Sequence, residues 1–140
     1  MPTRLTPVID RVPCRSYNEI MTEQVVLQIV DQAHALVELA SEKQANDIVL
    51  LDVREATDFA DYFVIMTAES PRQMRALLED IQDAMRAVDI RAHHIEGTHL
   101  SGWVLIDFGD VVVHVLGPEE RDFYDLERVW PKAVEVVRLQ

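Results

Sequence analysis

The segment SGWVLIDFGDVVVHVL, residues 101–116, decides the fold of this chain. Two short runs rich in β-branched and aromatic residues flank the pair Gly109-Asp110, and a two-residue turn with glycine between such runs predicts a β-hairpin. With the turn at these two residues, one side of the hairpin carries only apolar cross-strand pairs. They are Val104 with Val115, Ile106 with Val113, and Phe108 with Val111. We expect this side to face the core.

The opposite side of the same hairpin is half polar. Its cross-strand pairs are Trp103 with Leu116, Leu105 with His114, and Asp107 with Val112. Trp103 and His114 are therefore predicted to be close neighbours on one sheet face. An aromatic residue on a half-polar face indicates docking of a partner, or cover by another helix, better than it indicates catalysis.

Hydrophobic spacing predicts a long helix and three further strands. Apolar residues recur every three or four positions from Thr22 to about Asn46, which indicates an amphipathic helix. The runs at 47–53 and 61–67 are short, rich in β-branched and aromatic residues and bounded by polar ones, as strands are. Residues 90–95 form a weaker candidate strand.

A second helix is predicted from its start signal. Ser70 suits the N-cap, Pro71 the first helical position and Gln73 the capping-box position. A closing helix is expected over 119–129, and a short helical tail after Pro131. The resulting order of elements predicts the α/β (α+β) class, with a mixed five-stranded sheet packed by helices.

Length and composition are those of one globular domain. The chain has 140 residues, 49% of them hydrophobic and 27% charged, which is enough to bury one core. Residues 1–20 hold three of the 6 prolines and are predicted to form a poorly ordered arm. Residues 21–140 are predicted to form a single domain. Met21 stands just before the first periodic segment and is a candidate start of the functional chain.

Charge and cysteine content restrict the partners and the location. The 13 basic and 25 acidic residues give a net charge of −12, which disfavours direct nucleic-acid contact and suits a basic protein partner. The lone cysteine, Cys14, cannot form an intramolecular disulfide, and no apolar run reaches the roughly 20 residues of a membrane span. We expect a cytoplasmic protein with no membrane contact.

The titratable residues do not form a recognisable catalytic or metal-binding pattern. His93 and His94 are adjacent and would point to opposite faces of a strand, while Asp107 and His114 are offset in the hairpin register. The phosphate-binding patterns GxGxxG and GxxxxGK are absent from the sequence. We therefore expect no metal, no cofactor and no enzymatic activity.

Five segments together resemble the ribosomal silencing factor family, also called the Iojap-related or DUF143 family. They are DIVLLDV, TDFADYFVI, SPRQMRAL, GWVLIDFGDVVVHVL and RDFYDLERVW. The resemblance covers roughly Thr22 to Trp130 and implies a nucleotidyltransferase-like fold without a catalytic site. It also implies binding to the large ribosomal subunit through its fourteenth protein, which blocks association with the small subunit and represses translation under nutrient limitation.

The resemblance assigns six candidate partner-binding residues. These are Trp103, Leu105, Asp107, His114, Tyr124 and Glu127. The first two would provide an apolar anchor, the next two polar contacts beside it, and the last two an extension of the surface. For the aromatic residues Tyr62, Phe123 and Trp130 we expect core packing. In the absence of a ribosome, the exposed tryptophan face is expected to allow a homodimer.

Three other functions stay open on the sequence. Organelle relatives of the family indicate a large-subunit assembly factor, and the acidic charge also suits an adaptor for another basic protein. An enzyme of the nucleotidyltransferase type would need two metal-binding acids on one strand face. Asp58 and Asp61 are three residues apart, whereas a strand requires a spacing of two, and no Gly-Ser pair lies upstream.

Overall fold

The computed structural model describes the backbone of residues 17–140 and the side chains of residues 29–140. Residues 1–16, which make up most of the predicted arm, lie outside the described residues. In the described part, the elements in chain order are α1 (Tyr17–Glu42), β1 (Asn46–Asp52), β2 (Tyr62–Thr67), α2 (Pro71–Ala87), β3 (His94–Glu96), β4 (Trp103–Asp107), β5 (Val111–Leu116), α3 (Pro118–Tyr124), α4 (Leu126–Val129) and β6 (Val134–Leu139).

The strands form one mixed sheet in the order β3-β4-β5-β2-β1-β6. β2 and β5 run parallel, and the other neighbouring pairs are antiparallel. The predicted class, a mixed sheet packed by helices, is confirmed. The predicted number of strands is not, because the described residues form six strands and not five.

The register of the central hairpin is the predicted one. The pairs between β4 and β5 run from Trp103 opposite Leu116 to Asp107 opposite Val112. Gly109 adopts φ 98 in the turn, a left-handed conformation that glycine reaches without the steric cost of a side chain. The two-residue turn therefore fixes which side of each strand faces the core.

One side of the sheet packs against α1 and α2 and forms the main core. Ser70 caps α2, since its Oγ accepts a hydrogen bond from the Gln73 backbone N at 3.1 Å, and this confirms the predicted cap. The buried side chains of α2 recur at helical spacing: Met74, Leu77, Ile81 and Met85. The apolar side of the hairpin is buried against them, as predicted: Val104, Ile106, Phe108, Val111, Val113 and Val115.

The predicted helical tail after Pro131 is wrong, because Val134–Leu139 forms the edge strand β6. It pairs antiparallel with β1, so that Val137 lies opposite Leu50. The segment VEVVRL is rich in β-branched valine, which favours a strand. The pairing also satisfies backbone groups of β1 that would otherwise lack hydrogen-bond partners.

The predicted closing helix over 119–129 is interrupted at Asp125. This residue adopts φ 44 and ψ 60, ending α3 and starting α4 in a new direction. A left-handed residue cannot continue a right-handed helix. β3 is also shorter than the predicted strand over 90–95, beginning only at His94.

The ends of the first helix also differ from the prediction. It begins at Tyr17 rather than Thr22 and ends at Glu42 rather than near Asn46. Gln44 follows with φ 65, and a left-handed residue just after the last turn is a common helix stop. Apolar residues continue beyond Glu42 because β1 begins soon after it, at Asn46. The sequence pattern alone therefore placed the helix end too late.

The other side of the sheet is covered by the chain that follows β5. Leu126 of α4, together with Trp130 and Ala133, packs there against a second apolar cluster on β1, β2 and β5. Trp103 and Leu105 of β4 are partly buried against the same cluster. This side of the sheet therefore carries a smaller core and, beside it, the tryptophan singled out from the sequence.

Candidate functional site

Trp103 and His114 lie side by side on this second face, as the hairpin register predicted. Trp103 Nε1 donates a hydrogen bond to His114 Nδ1 at 3.3 Å, and the two ring centroids are 6.1 Å apart. Trp103 is half-buried, whereas His114 is only 5% exposed. The indole therefore covers the imidazole and is held in place by it.

His114 is neutral and rigidly packed. Burial lowers its pKa to about 4, and because Nδ1 accepts the hydrogen bond from Trp103, the ring proton is placed on Nε2. Among the described residues Nε2 has no hydrogen-bond partner. Phe63 packs against the ring with a centroid distance of 5.0 Å and an interplanar angle of 71°. This packing makes His114 a support beneath Trp103 rather than a surface contact.

Two aromatic side chains of α3 continue the face outward from Trp103. The Tyr124 ring lies 4.6 Å from the Trp103 ring, centroid to centroid, and Phe123 packs edge-on against Tyr124 at 5.0 Å. Tyr124 is 44% exposed and Phe123 80% exposed. We call the surface formed by Trp103, Phe123 and Tyr124 the aromatic ridge.

The exposure of Phe123 corrects the prediction that it packs in the core. α3 is anchored to the protein through Arg121, which is 7% exposed. Two residues along a helix correspond to a rotation of about 200°, so Phe123 points away from the protein. An arginine as the buried residue of a helix is uncommon, which is why the sequence pattern misassigned this helix.

Of the other two aromatic residues expected in the core, Tyr62 is buried, and Trp130 is partly buried against the second cluster. Tyr62 is buried on the side that faces α1 and α2. Trp130 packs edge-on against Phe63, with ring centroids 5.6 Å apart, and lies 5.7 Å from Phe59 in the same way. These contacts close the second cluster next to the aromatic ridge.

Leu105 and Asp107 complete the hairpin side that carries Trp103. Leu105 is half-buried against the second cluster. Asp107 Oδ1 accepts a hydrogen bond from the Gly109 backbone N at 2.7 Å, so this carboxylate stabilises the turn. Both side chains remain partly accessible beside Trp103.

Glu127 is held in an ion cluster rather than on the aromatic ridge. Its Oε2 accepts hydrogen bonds from Arg121 Nη2 at 3.1 Å and from Arg138 Nη2 at 3.3 Å. Burial alone would raise the pKa of Glu127, but the hydrogen bond and positive charge of Arg121 outweigh it, and the pKa lies below its ordinary value. Of the six candidate residues, five therefore lie on the hairpin beside Trp103 or pack against it, whereas Glu127 contacts Arg121 and Arg138 instead.

The carboxyl ends of the parallel strands β2 and β5 border a cavity of about 380 Å³. Such positions often bind ligands in α/β proteins. Here the lining includes Glu69, Glu119 and Glu120, and the Glu120 carboxylate occupies the space that side chains at Gly102 and Gly117 would fill. This acidic lining does not suit a phosphate-bearing cofactor.

The described residues include no group of three or more His, Cys, Asp or Glu side chains arranged to hold a metal ion. Asp61, one of the two acids considered for a metal site, has its pKa raised by burial and by the neighbouring charge of Asp110.

A separate finding concerns membranes: none of the helices in the part described is long and apolar enough to cross one.

Comparison with known proteins agrees with this fold. A family model described as "Ribosomal silencing factor during starvation" matches residues 26–140. The ribosomal silencing factor RsfS of Bacillus subtilis is 36% identical over 113 residues, which cover 81% of this chain and 91% of that protein. The crystal structure of a protein from Chromobacterium violaceum has a TM-score of 0.66 at 34% identity and covers 79% of this chain and 92% of its own.

An organelle protein is also similar. The protein "Mitochondrial assembly of ribosomal large subunit protein 1" of Mus musculus is 33% identical over 98 residues, which cover 68% of this chain and 43% of that protein. The fold and the aromatic ridge define a small mixed α/β domain with an exposed apolar surface. The chain belongs to the ribosomal silencing factor family, and the match extends past Trp130 to include β6.

Proposed function

We propose that the protein binds the large ribosomal subunit through its fourteenth protein and blocks association with the small subunit, repressing translation under nutrient limitation. Docking rather than catalysis is its activity, and it acts in the cytoplasm without metal or cofactor. The observation that carries the proposal is the aromatic ridge, in which Phe123 and Tyr124 are exposed and Trp103 is half-buried.

The ridge has the properties of an interface centre. Tryptophan and tyrosine are enriched among residues that dominate binding energies, particularly when they are fixed before the partner arrives. Trp103 is fixed by its hydrogen bond to His114, and Tyr124 is packed on Trp103. A partner can bury these rings with little loss of side-chain entropy.

Charge favours a basic protein as the partner. The net charge of −12 attracts a basic protein surface and repels phosphates, so direct contact with nucleic acid is small. When no ribosome is present, the same ridge allows two copies to form a homodimer.

Sedimentation with purified subunits tests the proposal. The protein should co-sediment with free large subunits and not with small subunits or intact ribosomes, because the docking face is hidden once the subunits join. Phe123→Ala should reduce recovery with large subunits. Val88→Ala is the matched control, since Val88 is an exposed apolar residue at the end of α2, on the other side of the sheet.

A second candidate function is large-subunit assembly, which the name of the mouse relative favours. Assembly and silencing differ in where the protein is found. An assembly factor would sediment with incomplete large-subunit particles and be released from mature ones. Equal recovery with intact ribosomes and free large subunits would contradict the silencing mechanism.

A further inference from the structure

Arg121 is the buried cation of the described part of the chain, and four contacts surround it. Nη1 donates to the Asp47 carbonyl O at 2.8 Å and to Thr67 Oγ1 at 2.9 Å. Nη2 donates to Glu127 Oε2 at 3.1 Å and lies 3.3 Å from Asp47 Oδ2. A buried charge is tolerated only when it is paired and hydrogen-bonded in this way.

A second arginine closes the arrangement. Arg138 of β6 donates through Nη1 to Asp47 Oδ1 at 2.5 Å and through Nη2 to Glu127 Oε2 at 3.3 Å. Two arginines thus share two carboxylates, and we call these four residues the ion cluster. The cluster joins β1, α3, α4 and β6, which are distant in sequence and meet behind the aromatic ridge.

The ion cluster fixes the short helix that presents the ridge. α3 has 7 residues, too few to be stable as a helix without tertiary contacts. Its C-terminus ends at the left-handed Asp125, whose backbone N donates to the Arg121 carbonyl at 3.2 Å. The change of direction there returns Glu127 to the Arg121 guanidinium and places Leu126 in the second cluster.

We propose that Arg121 is a positioning residue for docking: it sets the rotation and depth of α3, so that Tyr124 rests on Trp103 and Phe123 stands out from the surface. Glu127 acts through Arg121 and not by touching the partner. The inference rests on the proposed function for its binding readout. It is also tested by a readout that needs no ribosome.

The ribosome-independent readout is the fluorescence of Trp103. In a Trp130→Phe background Trp103 is the sole tryptophan, because the chain has 2. Arg121→Met removes the four contacts while keeping an extended apolar side chain. We expect its Trp103 emission to shift to longer wavelength in the folded protein, because Tyr124 no longer covers the indole.

The binding readout uses purified large ribosomal subunits. Arg121→Met should weaken binding at least tenfold. Val113→Ala, a core change on the side facing α1 and α2, serves as the control, compared at temperatures equally far below each variant's melting temperature. It should leave both emission and affinity unchanged, since it destabilises the fold without moving α3.

Variants of Glu127 separate positioning from direct contact. Glu127→Gln keeps an oxygen that accepts from Arg121 and should retain most of the affinity, whereas Glu127→Ala should lose affinity and shift the Trp103 emission together. If Arg121→Met does not fold, the Glu127 pair and Thr67→Val, which removes one contact of Arg121, carry the same test.

Three results would overturn the inference. The first is that Arg121→Met keeps the wild-type affinity and Trp103 emission. If Arg121→Met does not fold, the same result in Glu127→Ala and Thr67→Val counts equally. The second is that Val113→Ala loses as much affinity for the large subunit as Arg121→Met does. The third is a loss of affinity in Glu127→Ala without a change in emission, which would make Glu127 a direct contact. Undiminished binding of Trp103→Ala would instead refute the proposed function, while the emission test of Arg121 would still stand.

Discussion

Acid should destabilise the protein through His114 before most of its carboxylates are protonated. An unfolded histidine takes up a proton near its ordinary pKa of 6.5, but burial lowers the pKa of His114 to about 4. Between these values the unfolded state binds more protons than the folded state. The free energy of unfolding therefore falls as the pH is lowered from 6.5 towards 4, and the full stability is present above 6.5.

The size of the loss follows from the two pKa values. Each pH unit between them is worth about 1.4 kcal/mol, so the folded state should lose about 3 kcal/mol by pH 4. The cause is local, because a charged imidazole would lie under Trp103 and against Phe63, and its Nδ1 could no longer accept the hydrogen bond from Trp103. Little of this loss is screened by solvent, since His114 is buried.

Urea unfolding at several pH values between 7 and 4.5, followed by circular dichroism, measures this loss. His114→Asn is the comparison, because its side-chain oxygen can accept from Trp103 but cannot be protonated in this range. The carboxylates are the same in both proteins, so their contribution cancels in the difference. Parallel pH profiles for the two proteins would refute the assigned burial and hydrogen bond of His114.

Substitutions at four other positions test the remaining parts of the structure. Ile106→Ala should lose roughly 2 to 5 kcal/mol of stability through a cavity in the main core, measured by chemical unfolding. Phe123→Ala should leave stability nearly unchanged yet cost on the order of 2 kcal/mol of binding, whereas Trp103→Ala should lose both affinity and stability because it uncovers His114. Isothermal titration with the isolated ribosomal partner and thermal unfolding distinguish these two. Asp125→Ala should cost about 1 kcal/mol, and Asp125→Gly should not, because only the former is strained at positive φ.

Local sequence signals predicted the parts of the fold that depend on neighbouring residues. The turn at Gly109 fixes the hairpin register without reference to the rest of the chain, and the Ser70 cap starts α2 through atoms three residues apart. Both predictions are confirmed. The adjacency of Trp103 and His114 follows from the same register, so the centre of the candidate site was also predictable.

The parts that sequence could not predict depend on distant contacts. β6 forms because β1 presents an unpaired edge, and Arg121 is buried because Asp47, 74 residues away, receives it. The burial of His114 requires Trp103 above it, and the exposure of Phe123 follows from the anchoring of Arg121. Such contacts leave no periodic signal in the sequence. For the same reason, the sequence did not predict that Glu127 binds Arg121 and Arg138.

The effect of the protein on subunit joining tests the central claim most directly. Light scattering follows the association of purified small and large subunits, with the wild-type protein, Phe123→Ala or Val88→Ala mixed beforehand with the large subunits. The aromatic ridge predicts that the wild-type protein and Val88→Ala suppress joining, and that Phe123→Ala requires roughly tenfold or more higher concentration for the same suppression. Equal suppression by Phe123→Ala, or unimpeded joining at saturating wild-type protein, would contradict it.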